Sequence, residues 1–332
     1  MHAVRLHAFG PAENLTYERI EDPVPGPGQV RIAVEAAGVH LLDTALREGQ
    51  TGPYPAPAEL PTVPGREIAG TVESVGEGTD PGWLGKRVVA HIGMAPGGYA
   101  ELTVTEADKL HEIPAALGAA EAVAMIGTGR TTLGILGFTD LGPDSVAVVT
   151  AAAGGIGTLL VQYAKNAGAT VIAPGRRPRQ GRPRGGERAD LASTTRSPTG
   201  PTGPGPSSTR TACGRRSSST PSAGHRHSAV GLLGLGGQHI VYGWSGEGLH
   251  DGQPLTFTPE ELAERGITSG SVLGPRMIEA GGGLRALETR ALAEAAAGRL
   301  RPAVQRYPLA EAAAAHRAGD ARDGGKVVLE PW

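Results

Sequence analysis

Cysteine is almost absent: the 332 residues contain one, Cys213. An internal disulfide and a cysteine-rich structural zinc site are both excluded. No run of eighteen apolar residues occurs, and the opening MHAVRLHAFG has no apolar stretch behind its charges. Neither a membrane span nor a signal peptide is indicated, so the chain is expected to be soluble and cytoplasmic. Lysine is also scarce, with 4 beside 27 arginines, the bias of a GC-rich gene.

What is present suits two domains and a sizeable core. The net charge of −2 conceals an uneven distribution. Pro174–Ser228 holds 11 arginines, no lysine and only Glu187 and Asp190 as acids, a net +9, while the remainder carries −11. Arg, Pro, Gly, Ser and Thr fill 44 of its 55 positions, and Leu191 is its only large aliphatic residue. Such a segment is not expected to contribute a buried strand.

Residues 1–120 read as short strands broken by Gly and Pro. Val30, Ile32, Val34 and Ala36 alternate with Gln29, Arg31, Ala33 and Glu35, the period of a half-buried strand. Ala69–Val75, Arg87–His91 and Tyr99–Val104 are further candidates. From about Leu117 the pattern turns helical through Gly118–Leu136, followed by a buried strand at Val146–Thr150. Ile156, Leu159, Leu160, Tyr163, Ala164 and Ala167 then recur with the spacing of a core-facing helix stripe. Gly168 suits the position just past its end, and Thr170–Ala173 begins another strand. Strand, glycine-rich turn, helix and strand together open a parallel, doubly wound sheet. Later, Gln238–Tyr242 and Ile267–Leu273 read as buried strands, Leu284–Ala297 and Ala310–Ala318 as helices, and Lys326–Leu329 as a strand.

The turn Ala151–Gly157 contains Gly154, Gly155, Ile156 and Gly157. Residues without Cβ let backbone amides approach a pyrophosphate, and a helix N-terminus favours the anion. Gly157 also lets helix and strand pack closely. A tight turn without ligand is the alternative reading.

Several motifs together resemble the zinc-independent quinone reductase branch of the medium-chain dehydrogenase/reductase superfamily. They are Ala37-Gly38-Val39 with Asp43, Pro64–Val72 with Val75-Gly76, Gly129-Arg130-Thr131, Ala153–Gly157, Ala315-His316-Arg317 and Gly325–Leu329. The resemblance spans residues 1–173 and 229–332. It implies a GroES-like β domain over residues 1–122, completed by 276–332, and a Rossmann domain over 123–275. It further implies NADPH as cofactor, hydride transfer to a quinone or conjugated carbonyl, and a homodimer. An alcohol dehydrogenase or enoyl reductase of the same superfamily, a dinucleotide-binding non-enzyme and an inactive remnant are the alternatives. No nucleic-acid or membrane partner is expected.

Zinc-dependent relatives carry a cysteine where this chain has His40, and Gly-His-Glu where it has Gly65-Arg66-Glu67. A guanidinium has no lone pair to give a metal, so Arg66 removes a ligand and no metal site is expected. The resemblance places His40 and Asp43 near nicotinamide and substrate. His40 either donates a hydrogen bond to a substrate oxygen or caps a loop, and Asp43 either orders that loop or acts as an acid. Tyr54 either lines the acceptor pocket or is an exposed loop residue. Thr131 corresponds to a threonine that reaches the cofactor, and Gly243 follows a strand whose end approaches the nicotinamide. Lys326 either reaches a phosphate or is a solvated charge on an edge strand, and Glu67 has a supporting role.

Pro174–Ser228 matches nothing in that family. Shifted by one base, Ser217–Gly224 permits V-V-F-D-A-V-G-G, which resembles the family's missing strand and turn. Shifted the other way, Gly175–Gln180 permits A-A-G-P-A-K. A basic nucleic-acid arm and a disordered insertion are the alternatives, but we read the segment as translated between compensating frameshifts. It is expected to lack at least one central strand and part of the adenosine pocket, and Arg176 and Arg177 are not trusted as binders of a 2′-phosphate.

Overall fold

A computed structural model describes residues 1–51, 56–93, 97–173, 210–214, 233–242, 258–272, 274–321 and 324–331. Fourteen strands run in chain order: β1 His2–Leu6, β2 Leu15–Arg19, β3 Gln29–Gly38, β4 Glu67–Val75, β5 Arg87–His91, β6 Leu102–Glu106, β7 His111–Glu112, β8 Val146–Val149, β9 Thr170–Ile172, β10 Arg210–Gly214, β11 Gln238–Val241, β12 Thr268–Ser271, β13 Val304–Pro308 and β14 Lys326–Glu330. The chain divides into Met1–Arg130 with Glu288–Trp332, and Thr131–Leu287. Both breaks fall inside helical stretches, Arg130–Leu136 and Leu284–Ala296.

The first unit is built on a seven-stranded sheet of order β13-β14-β3-β4-β5-β7, with β6 also paired to β3. Val30, Ile32 and Val34 of β3 point into the core, as their alternation requires, and pack with Ile68, Val72, Val88, Leu110 and Leu329. The alternation ends at Ala36–Gly38, all buried, where β14 joins the far end of β3 through Val328 opposite Gly38. Lys326 therefore lies on an internal strand, flanked by β13 and β3, and is 6% exposed. The expected edge position is corrected: both neighbours come from distant sequence, and β13, with its irregular Val-Gln-Arg-Tyr-Pro pattern, gives no alternation to read.

The second unit is a five-stranded parallel sheet of order β12-β11-β10-β8-β9. Its Gly155–Asn166 helix buries Leu159, Leu160, Val161 and Ala164, and Gly168 beyond it has φ +83°. The α/β class with a doubly wound sheet is thus as the sequence indicates.

Two expectations fail. The basic segment was expected to supply no central strand, yet Arg210–Gly214 forms β10, parallel to both β8 and β11. Ser207–Thr220 contains no proline, so every residue keeps the N–H and C=O that a ladder between two waiting strands demands. Ile267–Leu273 was expected to be buried, but β12 is the sheet's outer strand, and Thr268, Ser269 and Ser271 are exposed. Only the flanking Ile267 and Val272 enter the core. The stretch Ser217–Gly224 lies outside the described residues.

Candidate functional site

In the first unit the chain leaves β3 through Val39 and enters a helix, Leu41–Arg47, whose N-cap is His40. The Leu42 amide donates to His40 Nδ1 at 3.1 Å, and the His40 amide donates to Asp43 Oδ2 at 2.8 Å. Each residue satisfies an amide at the helix start. Because Nδ1 accepts, the ring proton resides on Nε2, which is left to donate. His40 is exposed, yet protein atoms crowd its ring. That crowding, followed by the nearby Lys326 ammonium, pushes its pKa down and favours neutral imidazole at neutral pH.

Asp43 is 3% exposed and makes two contacts besides ordering the loop. Arg66 Nε donates to Oδ1 at 3.3 Å, and the Tyr99 hydroxyl donates to Oδ2 at 3.3 Å. Tyr99 in turn meets His316 Nε2 at 3.2 Å, and His316 Nδ1 faces Arg47 Nη1 at 3.4 Å. The Tyr99 and His316 rings also meet edge to face, with centroids 5.7 Å apart. Tyr99 and His316 are fully buried and Arg47 nearly so. Burial, reinforced by the Asp43 charge, raises the Tyr99 pKa, so the phenol keeps its proton. Burial, then the Arg47 charge, lowers the His316 pKa to about 3. Asp43 thus joins the His40 cap to a buried polar chain through Tyr99, His316 and Arg47. Sequence reading missed Tyr99 and Arg47 and gave His316 no role. The available signals were a tyrosine after Gly97-Gly98 and a histidine interrupting the alanines of the helix Ala312–Ala321.

Behind His40 lies a buried ion pair: Lys326 Nζ is 2.5 Å from Glu67 Oε2. Burial alone would raise the Glu67 pKa, but Lys326, with His40 and His91, holds it at about 2. Two glycines make room for this pair. A Cβ on Gly38 would stand 2.6 Å from Glu67 Oε2 and 3.0 Å from Lys326 Cε, and one on Gly127 would stand 1.8 Å from Glu67 Oε1. Gly127 belongs to a single π-helical turn, Met125–Gly129. Lys326 is accordingly engaged by Glu67 and buried, not a solvated charge.

In the second unit, the 12-residue helix Gly155–Asn166 begins at Gly154 after the turn that follows β8. The turn closes with Gly154 N–H donating to Ala151 O at 3.0 Å. Ala151, at φ 53°, is the one non-glycine residue with positive φ among the described residues. A Cβ on Gly157 would lie 2.2 Å from Ala151 O and 2.8 Å from Ala152 Cα, so helix and turn approach as closely as backbone allows. The amides of Gly155, Ile156 and Gly157 belong to the first turn, which has no intrahelical acceptors. This cradle fits the pyrophosphate of a dinucleotide. Thr131 lies at the start of the helix Arg130–Leu136. Gly243, Tyr54, Arg176 and Arg177 lie outside the described residues.

Known proteins resemble parts of this chain in sequence and all of it in fold. Residues 26–115 match the alcohol dehydrogenase GroES-like domain. The quinone oxidoreductase of Pseudomonas aeruginosa is 36% identical over 170 residues, covering 51% of each chain. A 2-haloacrylate reductase from a Burkholderia species is 35% identical over 173 residues, again 51% of each. The chain thus spans about half the length of the curated relatives it matches. A mycobacterial protein complexed with NADPH matches all of this chain and all of its own, at 25% identity and a TM-score of 0.73. The chain is thus similar to GroES-like alcohol dehydrogenases over residues 26–115 and to quinone oxidoreductases over about half its length, and it shares their overall fold. The GroES-like match lies within the first unit, and the parallel sheet of the second accords with the Rossmann-like fold of the solved structures.

Proposed function

We propose that the protein is an NADPH-dependent oxidoreductase that delivers hydride to a quinone or conjugated carbonyl without a catalytic metal. The observation that carries this reading is His40: an exposed, neutral imidazole whose capping bond leaves Nε2–H as a hydrogen-bond donor. When bound, NADPH supplies the hydride. As hydride adds to the acceptor, negative charge grows on its oxygen, and the His40 Nε2–H stabilises that charge. The final proton on oxygen comes from solvent.

The amides of Gly155, Ile156 and Gly157 hold the diphosphate, and Thr131 and Gly243 contribute nearer the nicotinamide. Asp43 holds His40 in place and does no acid–base work. Arg66 offers no lone pair to a metal, and its Nε is turned to Asp43. Among the described residues no group of three or more His, Cys, Asp or Glu could hold a metal ion. The Burkholderia relative is a 2-haloacrylate reductase, and the carbon–carbon double bond of 2-haloacrylate is conjugated to a carbonyl, which supports this acceptor class. We further read the protein as a cytoplasmic homodimer. No described helix is long and apolar enough to cross a membrane, and the outer edge of β12 offers backbone for pairing.

NADPH oxidation followed by absorbance over a panel of quinones, enones and aldehydes tests the proposal. Turnover is expected with quinones or enones, unchanged by chelators and reduced about tenfold or more by His40→Ala. Loss of activity on chelation, or oxidation driven by none of the acceptors, overturns it.

A further inference from the structure

We propose that Tyr99 and His316 are positioning residues, acting through Asp43 to fix the orientation of the His40 imidazole. The inference rests on the reading of His40 as the donor to substrate oxygen. Its structural basis is the chain Arg47–His316–Tyr99–Asp43–His40.

Proton bookkeeping assigns each bond one direction. Asp43 is acceptor only, so the Tyr99 hydroxyl must give it its single proton. The Tyr99 oxygen then accepts from His316 Nε2–H, and His316 Nδ1 must accept from the Arg47 guanidinium. Asp43 Oδ2 receives both the Tyr99 hydroxyl and the His40 amide. A shift of that oxygen moves the amide of His40, and with it the Leu42 bond that sets its tautomer.

The chain is anchored at several places. Arg47 Nε donates to Gly10 O at 3.0 Å, fixing its far end to the loop before Pro11. His316 is held on the helix Ala312–Ala321, and Tyr99 by its amide on Pro64 O and its carbonyl on Val4 N. The Tyr99 ring sits directly over Gly65, where any Cβ would come within 2.3 Å of Cδ1. Gly65 also has φ +92°, so backbone and ring both require glycine there. Two bonds, from the Tyr99 hydroxyl and the His40 amide, thereby meet on Asp43 Oδ2, and the first of them is backed by His316 and Arg47. A loop cap needs only His40 and Asp43; the buried tyrosine and histidine go beyond what capping demands.

Tyr99→Phe removes one hydroxyl and little volume, and His316→Gln keeps a donor in place of the imidazole. The full chain is assayed for NADPH-dependent turnover in single variants and in the His40→Ala background, with the His40 tautomer read by side-chain nitrogen NMR. Tyr99→Phe is expected to lower kcat about tenfold while KM changes less than twofold, and to alter kcat by less than twofold once His40 is alanine. In the wild type His40 should show one tautomer, protonated at Nε2; in Tyr99→Phe it should show a mixture, and in His316→Gln a smaller change of the same kind. The tautomer signal requires no turnover. If Tyr99→Phe lowers kcat by the same factor in both backgrounds, or lowers only thermal stability with the tautomer intact, the positioning role is overturned while the donor role of His40 stands. If His40→Ala alone leaves kcat unchanged, the reading of His40 fails, and this inference with it.

Discussion

Glu67 and Lys326 show how a buried charge pair constrains small residues around it. Neither side chain has room to turn, because Gly38 and Gly127 close on the carboxylate from two sides. Gly127→Ala should therefore destabilise the first unit by about 1–3 kcal/mol, since the added methyl displaces a carboxylate that has no other partner cation at that distance. Lys326→Met should be worse, about 3–5 kcal/mol, because it leaves Glu67 ionised and uncompensated. Urea unfolding of both variants checks the order; a neutral Lys326→Met would refute the pairing.

Acid sensitivity follows from the same region. His316 falls from 6.5 to about 3 on burial, and His91 to about 4, through burial first and the Arg130 charge second. Below pH 6.5 the unfolded chain takes up these protons while the folded chain refuses them, so stability falls steadily on acidification. The Glu67 contribution, complete above 4.5, is lost only as pH drops toward 2. Between pH 6.5 and 5, His316 alone accounts for about 2 kcal/mol. His316→Gln should flatten the pH dependence of unfolding in that window, measured by urea titration at several pH values. An unchanged slope would mean that the native state accepts the His316 proton.

At the level of elements, the glycine turn and its helix form a unit whose geometry is set by backbone contact. Gly157→Ala forces a Cβ against Ala151 O and Ala152 Cα, neither of which is a movable side chain. The helix start must shift, and NADPH affinity should drop at least tenfold, measured by titration of nucleotide fluorescence. Retained affinity would place the diphosphate elsewhere.

This turn was legible in the sequence because strand, glycines and apolar stripe are local signals, as was β3 with its alternation. Other elements were not. β10 arises from Arg210-Thr211-Ala212-Cys213-Gly214, which has no apolar signature, since its place is set by β8 and β11 on either side. Lys326 looked like an edge charge because strand order is a long-range property, and its partner Glu67 lies far away in sequence. The cap by His40 and Asp43 was within reach of a reading at three-residue spacing. The attachment of Tyr99, His316 and Arg47 to it was not, because those residues meet only once the sheet and the helix Ala312–Ala321 are in place.

Each unit of the molecule has its own core, the large cluster around Val30, Ile32, Ile68 and Leu329 in one and Val148, Leu233 and Ile267 in the other. The perturbing conditions also divide between them. The strongly lowered values of His316, His91 and Glu67 all belong to the first unit, and the amide cradle at Gly155, Ile156 and Gly157 belongs to the second. Calorimetry on the whole chain should therefore resolve two responses. Lowering pH from 7 to 5 should move the transition of the unit containing Tyr99 and His316 down in temperature. NADPH at a hundred times its Kd should stabilise the unit containing the turn by about 2.7 kcal/mol, as expected for a ligand that binds only the folded state. The Gly157→Ala chain should keep the acid response and lose the nucleotide response, whereas His316→Gln should keep the nucleotide response and weaken the acid response to the part that His91 supplies. A single transition shifted equally by both treatments would show that the two units unfold as one, and would remove the basis for assigning each response to one side of the chain.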